Sequence, residues 1–389
     1  MRDSQGTAES TARRGAPPTL APTPRSLARV VRDASGLEPG GLFHPEELQL
    51  ALRNRALPLE ALRYERTPTG LHYTLTHYDI PFIDAAGYGL TVKGRVKRRL
   101  CLGLADLKRR VARTTRVTLE CAGDGRALLQ PRPISQPWLS GAVGTADWTG
   151  VPLQAVLDEA GVDEASCEVV FTGHDRGIEG GVEQDYQRSL SLNEVQRDEA
   201  LLAWSMNGAP LEPQHGFPLR LIVPGWYGMA SVKWLHSIEV VDRPFEGYQQ
   251  TVAYRYSSSR ADRGTPVSLM RARSLLVPPG APDFLTRVRV VGRGTHEITG
   301  RAWSGRSAIT SVAVSADGGA TWADAELQPR TSPRAWQAWR WVWSAESSGQ
   351  HELCCRARDA AGEMQPLEPF WTARGMGNNS VQRVAVIVV

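Results

Sequence analysis

Residues 117–148, VTLECAGDGRALLQPRPISQPWLSGAVGTADW, open as a strand and break at a turn. Val117, Leu119 and Cys121 alternate with Thr118 and Glu120, the period-two pattern of a pleated surface. Ala122-Gly123-Asp124-Gly125 then forces a tight turn. Cys121 is therefore predicted at a strand end, where its side chain can project into a cleft. Arg126 follows closely and puts a guanidinium near the thiol, which favours the thiolate and attracts anions. Taken alone, a cysteine in this position is more often a small buried hydrophobe.

A chain of 389 residues is long enough for two domains of roughly 100–200 residues each. With 41% hydrophobic and 22% charged residues it has the composition of a soluble globular protein. The net charge of +4 is mild and the basic residues are scattered, which argues against a nucleic-acid binder. The clusters Lys97-Arg98-Arg99 and Lys108-Arg109-Arg110 read as solvated faces. Five cysteines, none in a CxxC arrangement, leave no attached c-type haem and no zinc knuckle. Adjacent Cys354 and Cys355 lie in a strand-like run, point to opposite faces and read as structural. No apolar run reaches membrane-spanning length. Residues 1–40, polar and rich in Pro, Ala, Arg and Thr, read as a disordered tail on a cytoplasmic protein. Gly-Ala-Pro-Pro-Thr follows Arg13-Arg14 where a secretory signal would turn apolar.

Residues 44–55 have helical spacing, with Leu48, Leu50, Ala51 and Leu52 as the apolar side. Residues 69–81, 88–96 and 167–172 read as strands, the last running into a polar loop at Gly173-His174-Asp175. Residues 104–112 and 150–161 read as helices, the second with Pro near its first turn and Gly at its end. Asn207-Gly208 marks a hairpin. In residues 213–241, PQHGFPLRLIVPGWYGMASVKWLHSIEVV, Arg220 sits inside an otherwise apolar strand, so it needs an anionic or carbonyl partner. From about Arg271 short strands and Gly- or Pro-containing turns alternate, and six tryptophans fall between Trp303 and Trp343. That pattern predicts a β-sandwich with the tryptophans in core and interface.

The run Cys121-Ala-Gly, a short polar turn, Arg126, Trp138 and then Gly-Ala-x-Gly-Thr-Ala-Asp-Trp over 141–148 resembles the sulfite oxidase family of molybdenum enzymes. Three further motifs in the same order carry the resemblance. They are the His77 segment before Pro81, HGFPLR with VPG and VKW over 215–234, and Trp371-Thr-Ala-Arg-Gly followed by Asn378 and Asn379. The resemblance implies an α+β molybdopterin-binding domain of the sulfite oxidase fold over 41–262, then an immunoglobulin-like β-sandwich over 263–389 that forms a homodimer.

It also implies a single molybdopterin with molybdenum and no haem. Cys121 would be the protein's one ligand to the metal, a soft donor suited to a thiophilic ion. Tyr73, Thr74, Leu75, Thr76 and His77 would line the pterin, with Asp175 as an acidic contact. His215, Arg220 and Lys233 would grip the pyranopterin and its phosphate, with Ser231 and Val232 beside them. Arg126 and Arg374 would hold a small oxyanion substrate. Tyr254, with Tyr248 and Tyr256 as neighbouring alternatives, would orient the reacting oxygen. The implied reaction is oxidation of sulfite to sulfate, with electrons passed to an external acceptor such as a cytochrome.

Two departures stand out. Leu75 occupies a position where the family has an arginine, and Asp124-Gly125 replaces Asn-Arg. Both make the site less positive, and losing one charge-assisted contact costs about 1.5–3 kcal/mol. The alternative readings are a molybdenum reductase of nitrate or of S- or N-oxides, a non-catalytic molybdopterin-binding protein, and a β-sandwich interaction protein with an inert Cys121. No nucleic-acid or membrane partner is expected.

Overall fold

The computed structural model describes residues 43–197 and 199–389, so the predicted tail lies outside the described residues. The strand ahead of the turn forms as its alternation predicts, over Arg113–Glu120. Its last four residues are buried on both faces, however, not only Val117 and Leu119. The C-terminal half of the chain covers the second face: Thr118 donates its amide to the Arg334 carbonyl at 2.9 Å, and its hydroxyl accepts the Trp336 amide at 2.7 Å.

Two five-stranded sheets build the N-terminal part. In one the order is Leu100–Gly103, Gly89–Gly94, Leu235–Val241, Glu168–Glu179, Val182–Ser191. In the other, Arg113–Glu120 pairs with Val143–Pro152, then Leu201–Met206 and Ala209–Pro210, while Arg220–Ile222 joins through Leu201–Met206. The hairpin after Met206 turns on Asn207 and Gly208, at φ 56° and 83°, as Asn-Gly predicts. Helices are short, at Leu104–Lys108 and Leu153–Ala160. The second starts later than predicted because residues 150–152 finish the preceding strand.

Three further expectations are corrected. Residues 69–81 form one 3-10 turn, Thr69–Leu71, and a single bridge between Thr74 and Arg55, not a strand. His174 and Asp175 lie within the strand Glu168–Glu179, at an irregularity in its pairing, not in a loop. The helix Pro45–Arg53 exposes Leu48 and Leu52 and buries Glu47, because Arg132 reaches Glu47 at 2.8 Å from the far end of the Cys121 loop.

The C-terminal sandwich packs a four-stranded sheet, containing Arg273–Leu276, Gly294–Trp303 and Gln337–Ala345, against a six-stranded one containing Ile309–Ser315, Gly349–Asp359 and Gln382–Val388. Trp339, Trp343, Ile298, Leu353 and Cys355 fill the space between them. Cys354, on the opposite face, is buried as well, and all five cysteines are free thiols. Trp303 and Trp336 instead join the N-terminal core, so the tryptophans divide between core and interface. Among the described residues no helix is long and apolar enough to cross a membrane.

The two parts are joined by buried charge. Arg273 of the sandwich meets Glu120 at 2.8 Å and Asp124 at 3.1 Å, all three essentially solvent-free. Trp303 Nε1 donates to the other Glu120 oxygen at 2.8 Å. Removing the guanidinium strands two carboxylates, so Arg273→Ala is expected to cost about 3–5 kcal/mol in urea unfolding. A loss below about 1 kcal/mol, the value of an exposed pair, would refute this role.

Candidate active site

Cys121 emerges where the strand meets the turn, as predicted. Its amide donates to the Ala142 carbonyl at 2.8 Å. Asp124 holds the same loop from below, accepting the amides of Ala142 at 2.9 Å and Gly141 at 3.3 Å. Gly125 adopts φ 83°, and a Cβ there would lie 2.8 Å from Asn378 Nδ2. The turn therefore accepts no larger residue without movement. Asp124 pairs with Arg273, yet its charge still helps to raise the Cys121 thiol.

Two cavities meet at Cys121, and Leu75, His77 and Tyr254 also line both. The inner one is walled by Tyr73, Thr74, Asp175, His215, Arg220, Ser231 and Lys233, with His72, Tyr186 and Gln214. The outer one, about 350 Å³, is walled by Thr76, Arg126 and Arg374 among others. Val232 is buried behind the wall and lines neither cavity. The structure thus gathers every other predicted site residue around one thiol.

The cations of the inner cavity are held by carbonyl oxygens. Arg220 donates to the carbonyls of His215 and Ser231 at 3.0 and 3.2 Å, the carbonyl solution to its burial. Its guanidinium also lies 4.8 Å over the Trp148 ring. Lys233 donates to the carbonyls of Leu75 and Gln214 at 2.8 and 3.0 Å. Burial lowers Arg220 to about 10, and burial with the Arg220 charge lowers Lys233 to about 7. Asp175, facing the same space, is raised by burial to about 7.

Four buried polar atoms here have no protein partner: His72 Nε2, Asp175 Oδ1, His215 Nε2 and Arg220 Nε. Buried polar groups are normally satisfied, so their convergence on one cavity fits a ligand rich in hydrogen-bonding atoms and negative charge. A phosphate-bearing pterin has that character. Among the described residues no cluster of three or more His, Cys, Asp or Glu side chains could hold a metal. A metal in this site would arrive with its own organic ligand, and Cys121 is the one soft donor at the cavity junction.

The thiol behaves differently from the sequence expectation. Burial raises Cys121 to about 11, and the nearby Arg126 only partly opposes this. Metal coordination, not Arg126, would deprotonate it. Arg126 itself is buried, donating to the carbonyls of Arg374 and Gln136 at 3.1 and 3.0 Å and to Met376 Sδ at 3.5 Å. Five N–H groups against three acceptors leave donors for a ligand.

Tyr254 Oη lies 2.7 Å from His77 Nε2. Burial keeps the phenol protonated, raising it well above its usual value, and pushes His77 down to about 3. Of the three candidate tyrosines only Tyr254 lines these cavities; Tyr256 packs under Arg271 instead.

Sequence reasoning passed over Asn54 and His72. Asn54 Oδ1 accepts the Thr76 amide at 2.7 Å and its Nδ2 donates to Gln136 at 2.9 Å, which fixes the segment of Leu75, Thr76 and His77 against the outer wall. His72 lines the inner cavity. Gly144 was the available signal, since a Cβ there would stand 2.5 Å from the His72 ring.

Residues 77–249 match the oxidoreductase molybdopterin binding domain and residues 267–389 the Mo-co oxidoreductase dimerisation domain. The mitochondrial sulfite oxidase of Mus musculus is 35% identical over 83% of this chain and 62% of its own length, so the chain spans less than two thirds of that relative. The sulfite oxidase of Gallus gallus is 34% identical over 80% of this chain and 70% of its own. A nitrate reductase of Hordeum vulgare is 32% identical over 83% of this chain and 39% of its own. The crystal structure of the sulfane dehydrogenase SoxCD from Paracoccus pantotrophus superimposes with a TM-score of 0.73 at 27% identity, covering 90% of this chain and 91% of that one.

Burial lowers His72 to about 4 from an ordinary 6.5. The unfolded chain therefore binds this proton more readily, and the contribution to stability is present above about 6.5 and lost as pH falls toward 4. The urea midpoint should drop between about pH 7.5 and about pH 5, and drop less in His72→Gln. Equal drops in both proteins would mean His72 contributes nothing.

Proposed function

The chain belongs to the sulfite oxidase family of molybdopterin oxidoreductases, and from that premise we propose that it oxidises sulfite to sulfate. Sulfite gains an oxygen from water, while two protons and two electrons leave, the electrons passing singly to an external acceptor such as a cytochrome. The observation that supports this most is the junction at Cys121, with a cationic, partly unsatisfied inner cavity on one side and three arginines, Arg126, Arg260 and Arg374, on the other.

In this reading Arg220, Lys233 and His215 hold the cofactor's phosphate and pterin, Asp175 and His72 meet its ring heteroatoms, and Cys121 ligates the metal. The molybdenum, when bound, supplies two-electron oxygen-atom exchange. The chain's own residues bind and orient. Arg126 offers its spare N–H groups to substrate oxygen, and Arg374 faces the same cavity from the C-terminal segment. Tyr254, hydrogen-bonded to His77 and also to Tyr186, stands at the junction of the two cavities, where its hydroxyl would orient the reacting oxygen and relay a proton. The sandwich, taken as residues 263–389, would pair two copies, and residues 41–262 would carry the chemistry.

Leu75 departs from the family's arginine, and its side chain packs against the cluster of Cys121, Trp138 and Ala142. Reduction of nitrate is the second reading, favoured by the likeness to the barley enzyme.

Molybdenum-loaded protein should turn over sulfite with an artificial one-electron acceptor, and Leu75→Arg should lower the Michaelis constant for sulfite. Turnover of nitrate but not sulfite, with a reduced donor, would reverse the assignment. Arg126→Gln should raise the Michaelis constant roughly ten- to a hundred-fold, the equivalent of one charge-assisted contact. An unchanged constant would remove Arg126 from substrate binding.

A further inference from the structure

The outer cavity extends well beyond what sulfite alone would fill, and part of its lining is apolar. Its volume is about 350 Å³, against roughly 10–15 Å³ by the same measure to hold one water. Arg126, Arg260, Arg374 and Glu179 stand on its walls with Leu75, Ile134, Ile178 and Met376. Met376 Sδ touches Arg126 Nη2 at 3.5 Å, so apolar and cationic surfaces adjoin. Leu75 carries the apolar surface up to Cys121, where it joins the cluster with Trp138. Ile178 and Ile134, 74% and 52% exposed, carry it outward to solvent. Exposed isoleucines lining a cavity mouth lose water on contact with an apolar group, which favours that contact.

We propose that this cavity takes a sulfur oxyanion bearing an apolar substituent, an alkyl or aryl sulfinate, with the sulfinate head on Arg126 and Arg374 and the hydrocarbon body on Leu75, Ile134 and Ile178. The proposal rests on the oxidase reading and refines its substrate class. In balanced form, a sulfinate R–SO2⁻ and water give the sulfonate R–SO3⁻, two protons and two electrons. One S–O bond forms at sulfur, the O–H bonds of water break, and the external one-electron acceptor is reduced twice. Where the family pattern has an arginine, Leu75 presents instead a surface the substituent can cover.

The test compares methanesulfinate, benzenesulfinate and sulfite on the molybdenum-loaded holoenzyme with an artificial one-electron acceptor. Alongside, titration calorimetry compares benzenesulfonate with sulfate. The proposal requires kcat/KM for benzenesulfinate about tenfold or more above methanesulfinate, the discrimination an apolar pocket provides. It also requires benzenesulfonate to bind more tightly than sulfate. In both Leu75→Arg and the exposed-site variant Ile178→Asp, the benzenesulfinate-to-sulfite ratio should fall about tenfold.

Turnover of sulfite with little or none of either sulfinate would overturn the inference and leave the oxidase reading standing. Equal rates for the two sulfinates, or a ratio unmoved by Ile178→Asp, would also overturn it. If fully loaded protein turns over none of the three, the oxidase reading fails, and the calorimetric comparison alone decides whether the cavity prefers an apolar anion.

Discussion

Arg273, buried between Glu120 and Asp124, is the contact on which the rest of the arrangement depends. Glu120 ends the strand that delivers Cys121, and Asp124 ties the following loop to the amides of Gly141 and Ala142. The same guanidinium donates to the Asn378 carbonyl at 3.1 Å, and Asn378 Nδ2 donates to the Gly125 carbonyl at 2.8 Å. One sandwich residue thereby fixes the thiol-bearing turn and the C-terminal segment that brings Arg374 to the outer cavity. Burying three charges is unfavourable unless all are paired, so the contact works as a register. A displaced sandwich would leave carboxylates without a partner.

The opposite principle governs the cavity. Arg126, Arg220 and Lys233 are buried with main-chain carbonyls as their partners, and burial lowers the proton affinity of each. Carbonyl dipoles hold a cation in place without cancelling its charge. The positive potential therefore remains available to an anion, in a setting where water screens it little. The cost falls on the stability of the ligand-free protein, the usual relation between stability and a preorganised site. Neutral His72, His77 and Tyr254 complete the wall with groups that form hydrogen bonds without adding charge.

Much of this was legible in the chain itself. Cys121 at a strand end, Arg220 in need of an anionic or carbonyl partner, the Asn-Gly hairpin and the division of tryptophans all follow from local rules of spacing and polarity. What was not legible depends on contacts between distant segments. Glu120 reads as the solvent face of a half-buried strand, yet Arg273 and Trp303 lie more than a hundred residues away and make it interior. Glu47 is buried on the helix face that looks polar, because Arg132 covers it. His72 sits in irregular backbone with no periodicity to interpret. The pairing of Asp124 with Arg273, again far apart in the chain, has no local signal either.

The comparisons place the chain in its family, and the junction of two cavities at one buried thiol gives that placement a physical form. The central claim is that Cys121 and the inner cavity hold a molybdenum-bearing pterin. The most direct measurement is molybdenum and pterin content of protein purified from a molybdenum-replete host, together with the metal's X-ray absorption spectrum in wild type and Cys121→Ser. The account predicts stoichiometric metal and pterin in wild type, and loss of one sulfur ligand from the metal in the variant. Wild-type protein without pterin, or a metal environment identical in the two proteins, would contradict it.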